Sequence, residues 1–226
     1  MADDTPDVPP PTVRTDRLGD GWERVEASVD RLFDAGGVDV WGHTLVFEDT
    51  ALRAAVREAT DGAVDQSWRF FFATRLRFRP PLAPGVGLAM VLPTVKSEAV
   101  RSFVADLRGR GIEDLDRGRT ERVRTGSGDR VRMRQLTGRV DLADSAADLA
   151  AADTAAADTV AADGRSVLIE GWVGAWTDGA IYLAGGAYPT ARLDAVFGVE
   201  DDSSPLARSR EHYRSSFFDL VRAVGE

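Results

Sequence analysis

The strictest constraint on fold lies at residues 67–79, where Trp68, Phe70, Phe72, Leu76 and Phe78 alternate with Arg69, Arg75, Arg77 and Arg79. Successive side chains of a strand point to opposite faces, so this spacing predicts a strand that is apolar on one side and cationic on the other. Pro80-Pro81 stops it, because proline cannot donate to a sheet ladder. A strand of this kind cannot stand alone. It needs paired neighbours and an apolar layer against its greasy side.

Flanking segments supply both. Residues 22–33 and 38–47 alternate around the turn Asp34-Ala35-Gly36-Gly37 and predict an antiparallel hairpin, with helix as the alternative for 22–33 because Val25, Val29 and Leu32 also fit a helical period. A short helix follows, capped by Asp49 or Thr50, carrying Leu52, Ala55, Val56 and Ala59, and ended by Gly62. Residues 87–92 read as a short buried strand with Pro93 at its edge. Residues 97–108 form an amphipathic helix with Val100, Phe103, Val104 and Leu107 on one stripe.

Two more hairpins are expected. Residues 119–125 and 130–140 flank Gly126-Ser127-Gly128-Asp129, with Arg122 and Arg124 on one face and Arg130, Arg132 and Arg134 on another. Residues 167–176 and 181–188 flank Asp178-Gly179, the sequence of a two-residue type I′ turn. That turn sets Trp176 opposite Ile181, Trp172 opposite Gly185 and Ile169 opposite Tyr188. Trp172 and Trp176 then share one face and Tyr188 takes the other. Ser204, with Pro205 at the first helical position, caps a C-terminal helix with Leu206, Tyr213, Phe217, Leu220, Val221 and Val224 on its stripe.

The order of elements predicts an α+β fold, a mainly antiparallel sheet of hairpins packed by helices that include a long C-terminal one. One domain is expected over residues 19–226. Residues 1–18, rich in Pro and Asp, read as a flexible acidic arm that adds nothing to the core. Residues 141–164, mostly Ala, Asp and Thr, read as a low-complexity insertion.

Charge and composition narrow the setting. Residues 1–66 carry six basic and fifteen acidic side chains, residues 67–139 sixteen and seven, and residues 140–226 six and fifteen. The basic middle block either binds an external anion or is neutralised by its acidic flanks. A net charge of -9 with Lys96 as the only lysine is the balance of a protein adapted to high salt, and a GC-rich genome also favours Arg, Ala, Gly and Asp. With no cysteine, disulfides, thiol catalysis and thiolate metal sites are excluded. The N-terminus lacks a basic leader and no apolar run is long enough to span a bilayer, so a cytoplasmic, non-membrane location is expected.

Residues able to carry chemistry are few. The two histidines, His43 and His212, fall in different elements, so no metal site is expected. His43 reads as a hydrogen-bonded structural residue and His212 as a surface ion-pair partner. Ser127 lacks the setting of a nucleophile elbow, and no phosphate-binding glycine loop is present. Catalytic and cofactor-binding residues are accordingly assigned to none. The candidate binding surface is Arg75, Arg77, Arg79, Arg122 and Arg124, as an arginine-lined sheet face, with Trp172 and Trp176 as a second possibility beside Gly185-Gly186.

The segments Val167-Leu168-Ile169-Glu170-Gly171-Trp172 and Tyr182 to Pro189, followed by Tyr213 to Val224, resemble an uncharacterised protein family of halophilic archaea. Those proteins end in a hairpin, a GGxYP corner and a helix. More distantly the element order resembles the PsbP-like fold, an antiparallel sheet between helices. The resemblance implies an accessory or binding protein and supplies no catalytic residue. The expectation is a non-catalytic cytoplasmic binding or accessory protein with a protein partner. The alternatives are an enzyme using Asp or Glu with Arg on a small anionic metabolite, and RNA binding through the arginine face. Nucleic acid is disfavoured, because phosphate contacts weaken steeply in concentrated salt.

Overall fold

The alternating segments pair into one seven-stranded sheet. The structure is a computed structural model that describes residues 5–142 and 166–225, so most of the low-complexity segment lies outside the described residues. The strands are β1 (Trp22–Asp34), β2 (Asp39–Asp49), β3 (Phe70–Arg79), β4 (Glu113–Arg124), β5 (Arg130–Asp141), β6 (Ser166–Asp178) and β7 (Ala180–Pro189), in the order β1-β2-β3-β7-β6-β5-β4. Every pairing is antiparallel. Two meanders, of three and four strands, meet where β7 pairs with β3. The fold is α+β, as the element order predicts.

Four helices accompany this sheet among the described residues. They are α1 (Thr50–Ala59), α2 (Leu88–Gly109), α3 (Leu193–Phe197) and α4 (Arg210–Arg222). The Asp49 carboxylate caps α1 by accepting the Leu52 amide at 3.0 Å. The short buried strand expected at 87–92 is instead the first turns of α2, which runs through Pro93. Pro93 is the sixth residue of this helix, so it removes one intrahelical N–H bond, and the helix continues through it. At the C-terminus, Ser204 caps only a 3-10 turn, Pro205–Ala207, and Ser209 caps α4 itself.

Directly paired residues point the same way, so each row of the register identifies a face. One row runs Glu26, Val46, Phe72, Gly185, Val173 and Arg134. Phe72 meets Phe103 of α2 with ring centroids 5.7 Å apart, so this row lies on the α2 face. The neighbouring row runs Phe47, Phe71, Gly186, Trp172 and Gln135, and Phe71 meets Phe217 of α4 at 6.0 Å. That row lies on the α4 face.

The two faces are covered unequally. On the α4 face, α4 lies over the β6-β7 side, while the N-terminal segment lies over β1 to β3. Val8 is 3% exposed, Leu18 is buried, Val13 bridges to Val224, and Gly225 N–H donates to Thr12 O at 3.1 Å. The expectation that residues 1–18 add nothing to the core is therefore corrected. Proline and aspartate density conceal three well-spaced apolar residues whose partner is a ready-made sheet face. On the other face α2 stands alone, burying Val95, Ala99, Phe103 and Leu107 against β6 and β7. The sheet to either side of it has no helix over it among the described residues.

The β6-β7 register also needs correction. Trp172 pairs with Gly186, Trp176 with Tyr182 and Ile169 with Pro189, one residue away from the expected frame. Asp178 pairs with Ala180 across Gly179 alone, whose φ is +63°. A slip of one residue turns every β7 side chain to the opposite face. It brings Tyr188 to the same side as Trp172.

Candidate functional site

The predicted arginine face is divided by the register. Arg75 pairs with Tyr182 and Tyr182 with Trp176, so Arg75, Arg77 and Arg79 lie on the α4 face. Arg134 pairs with Val173, and Arg132 and Arg122 follow the same parity, so Arg122, Arg124, Arg130, Arg132 and Arg134 lie on the α2 face. One continuous cationic face is thus corrected to two sets on opposite sides. Arg122 and Arg124 share a face with Arg130 and Arg132, not separate ones.

On the α4 face the arginines are engaged. Arg77 donates to Asp7 O of the N-terminal segment, and Arg75 lies 5.9 Å from the Tyr182 ring centroid. Arg69, the first of the alternating set, is 4% exposed. It donates to Asp49 Oδ2 at 2.9 Å and to the Ser216 hydroxyl, and it lies between the rings of Trp22 and Tyr213 at 4.7 and 5.0 Å. Arg208 reaches the same Asp49 oxygen at 3.0 Å. Burial pulls the Arg69 guanidinium below its usual pKa, against the Asp49 charge. This is a buried charge held by its partners, as burial of an ion requires.

Trp172 and Trp176 are buried and present no surface to a ligand. Glu170, also fully buried, explains the first of them. Its Oε1 accepts from Trp172 Nε1 at 2.8 Å and from the Tyr188 hydroxyl at 2.8 Å, while Oε2 accepts from Arg210 Nε at 3.1 Å. Burial pushes the Glu170 carboxyl up, but the Arg210, Tyr188 and Trp172 hydrogen bonds together outweigh it and leave it below the usual value. Burial and the Glu170 charge hold the Tyr188 phenol well above its ordinary range, so it stays a donor. Trp176 stacks on Tyr182 at 5.9 Å. The Glu170, Trp172 and Tyr188 side chains are buried and only Arg210 reaches the surface, which suits the cluster to joining α4 to the sheet.

The histidines do not converge. The His43 ring donates Nδ1–H to Val8 O at 2.7 Å, a structural role. His212 makes no ion pair among the described residues, contrary to expectation. Burial, with the Arg69 and Arg208 charges, pushes its pKa below the ordinary value. Among the described residues no group of His, Asp and Glu is placed to hold a metal, and no helix is long and apolar enough to cross a membrane.

What stays open is the α2 face. Toward β4 and β5, Arg122 sits directly opposite Arg132, and Arg124 directly opposite Arg130. All four are exposed. Arg124 and Arg134 donate only to the carbonyls of Gly128 and Gly118, and no carboxylate bridges any of the five among the described residues. Burial and the Arg132 charge lower the pKa of Lys96 on α2, which places a further cation beside the set. Toward β1 to β3, a cavity of about 300 Å³ opens between α2 and the first meander, with Phe72 and Phe103 in its walls and Glu26, Asp30, Glu98 and Asp106 around it.

Residues 10–225 match the family described as Domain of unknown function (DUF6517). The chain belongs to this family. Comparison with curated proteins and with solved structures found no match. The family match spans the N-terminal segment from Pro10 onward, in keeping with the place of Val13 and Leu18 in the packing. Sequence reasoning missed the groove, because its lining comes from five strands and a helix that are spread along the chain. It also missed Glu170, and of Asp49 it foresaw the helix cap but not the Arg69 and Arg208 pairing, because these partners depend on the β7 register and on the path of the C-terminal segment.

Proposed function

We propose that this protein is a non-catalytic binding or accessory protein, adapted to high salt and working in the cytoplasm, that contacts an acidic surface of a partner protein through the arginines of β4 and β5. The observation carrying this reading is the two pairs of face-to-face arginines, Arg122 with Arg132 and Arg124 with Arg130. Like charges directly across a strand pair destabilise the sheet, and here no carboxylate among the described residues relieves them. A fold that keeps such an arrangement exposed, with no covering element among the described residues, is suited to a partner that relieves it. Arginine favours this use, since its planar fork binds carboxylates in pairs. The distant resemblance to the PsbP-like fold points the same way, toward an accessory protein.

Phosphate-rich RNA is a weaker fit. In about 1 M salt the screening length falls to about 3 Å, and affinity built on counterion release declines steeply. The test is affinity purification at the cell's own salt, with wild type beside Arg122→Glu/Arg132→Glu. A protein recovered with wild type and lost with the double variant supports the reading. The same recovery from both, or recovery of RNA alone, contradicts it.

A further inference from the structure

The groove on the other side of α2 carries opposite charge and a different surface. Its volume, about 300 Å³, lies at the lower end of the range for small-molecule sites. Phe72 and Phe103 are tilted at 51° to one another and form its aromatic wall. Gly185 makes that wall possible, since a Cβ there would come within 2.6 Å of the Phe72 ring. Gly42 acts similarly at the rim, where a Cβ would come within 2.6 Å of Leu32, so Leu32 can fold down over the strand. The Thr44 and Thr74 hydroxyls, bonded to each other at 2.9 Å, add polar atoms to the lining.

Around this lining stand Glu26, Asp30, Glu98 and Asp106 with a single cation, Arg110. Arg101 engages Glu98 and Arg110 engages Asp106. Among the described residues Glu26 accepts only the neighbouring Ser28 hydroxyl, and neither it nor Asp30 has a cationic partner. Two unneutralised carboxylates on β1 thus overlook an aromatic pocket.

We propose that this groove binds a small organic ammonium ion, with its charge between Glu26 and Asp30 and its apolar body against Phe72 and Phe103. Carboxylates and aromatic faces both attract a cation, and an apolar body gains by leaving water. A bare inorganic cation would use only the first attraction, and a neutral molecule only the last. The occupant is a free small molecule, because the groove is too small for a helix about 10 Å across.

Benzyltrimethylammonium titrated into the full chain, followed by amide chemical shifts, tests this. The expected result is saturable shifts at β1, β2, β3 and α2, with a dissociation constant on the order of 1 mM or tighter. Glu26→Gln/Asp30→Asn, both at exposed positions, should weaken binding about fivefold or more. Ser102→Phe, from the exposed rim, should remove it, while Arg122→Glu/Arg132→Glu should leave it intact. Four outcomes overturn the proposal: no saturable shifts, equal binding of benzyl alcohol, equal competition by potassium ions, or equal binding by the carboxylate variant.

Discussion

Glu170 shows what a single residue does in this fold and how little of that is visible in sequence. It reads as one polar position among apolar ones, yet it is fully buried and holds Trp172, Tyr188 and Arg210 together. Glu170→Ala should lower stability by about 3 kcal/mol in urea unfolding, because it leaves buried donors on Trp172 and Tyr188 without an acceptor. Tyr188→Phe should cost less, about 1–2 kcal/mol, since Glu170 keeps its other partners. The folded pKa of Glu170 lies below its ordinary 4.5. Its ionisation therefore contributes stability fully above that value and loses it as pH falls through the folded pKa. The stability gap between wild type and Glu170→Gln should be constant near neutral pH and narrow in urea titrations below pH 4.5. His212 has the opposite charge type and a folded pKa below 6.5. Ring-proton NMR should find it titrating below that value.

At the scale of elements, alternation made β3 legible and turn chemistry located the hairpin ends. Register was not legible. Asp178-Gly179 suggested a two-residue turn, but the chain reverses on Gly179 alone, and that difference of one decides which side of β7 meets Trp172. The close approach of β3 and β7 explains the glycines the sequence could only mark. A Cβ on Gly186 would come within 2.2 Å of Phe70 O. Gly186→Ala should therefore destabilise by about 3 kcal/mol or more, far beyond a glycine-to-alanine change on an open strand, as thermal unfolding would report. The start of α2 was read as a strand because five consecutive apolar residues before a proline carry no period. Only the tertiary contact of α2 with β6 and β7 settles that they are helical.

Across the described residues of the molecule, the N-terminal segment and α4 close one face of the sheet and a single helix, α2, divides the other. Of the two options left open by the sequence, internal neutralisation holds for part of the basic middle third. Arg69 is neutralised internally by Asp49, and Arg139 and Arg119 pair with Asp114 and Glu121, whereas Arg122, Arg124, Arg130, Arg132 and Arg134 meet no carboxylate among the described residues. Sequence could count these charges but not assign them to sides, because the assignment depends on the β3-β7-β6-β5 register across four strands. The central claim is that the opposed arginines are kept against the interest of the fold. Urea unfolding of Arg122→Gln and Arg132→Gln beside wild type tests it most directly. Each variant should be more stable than wild type by about 0.5 kcal/mol at low ionic strength, and the gap should close near 1 M KCl as repulsion is screened. Variants less stable than wild type, by a margin indifferent to salt, would contradict it.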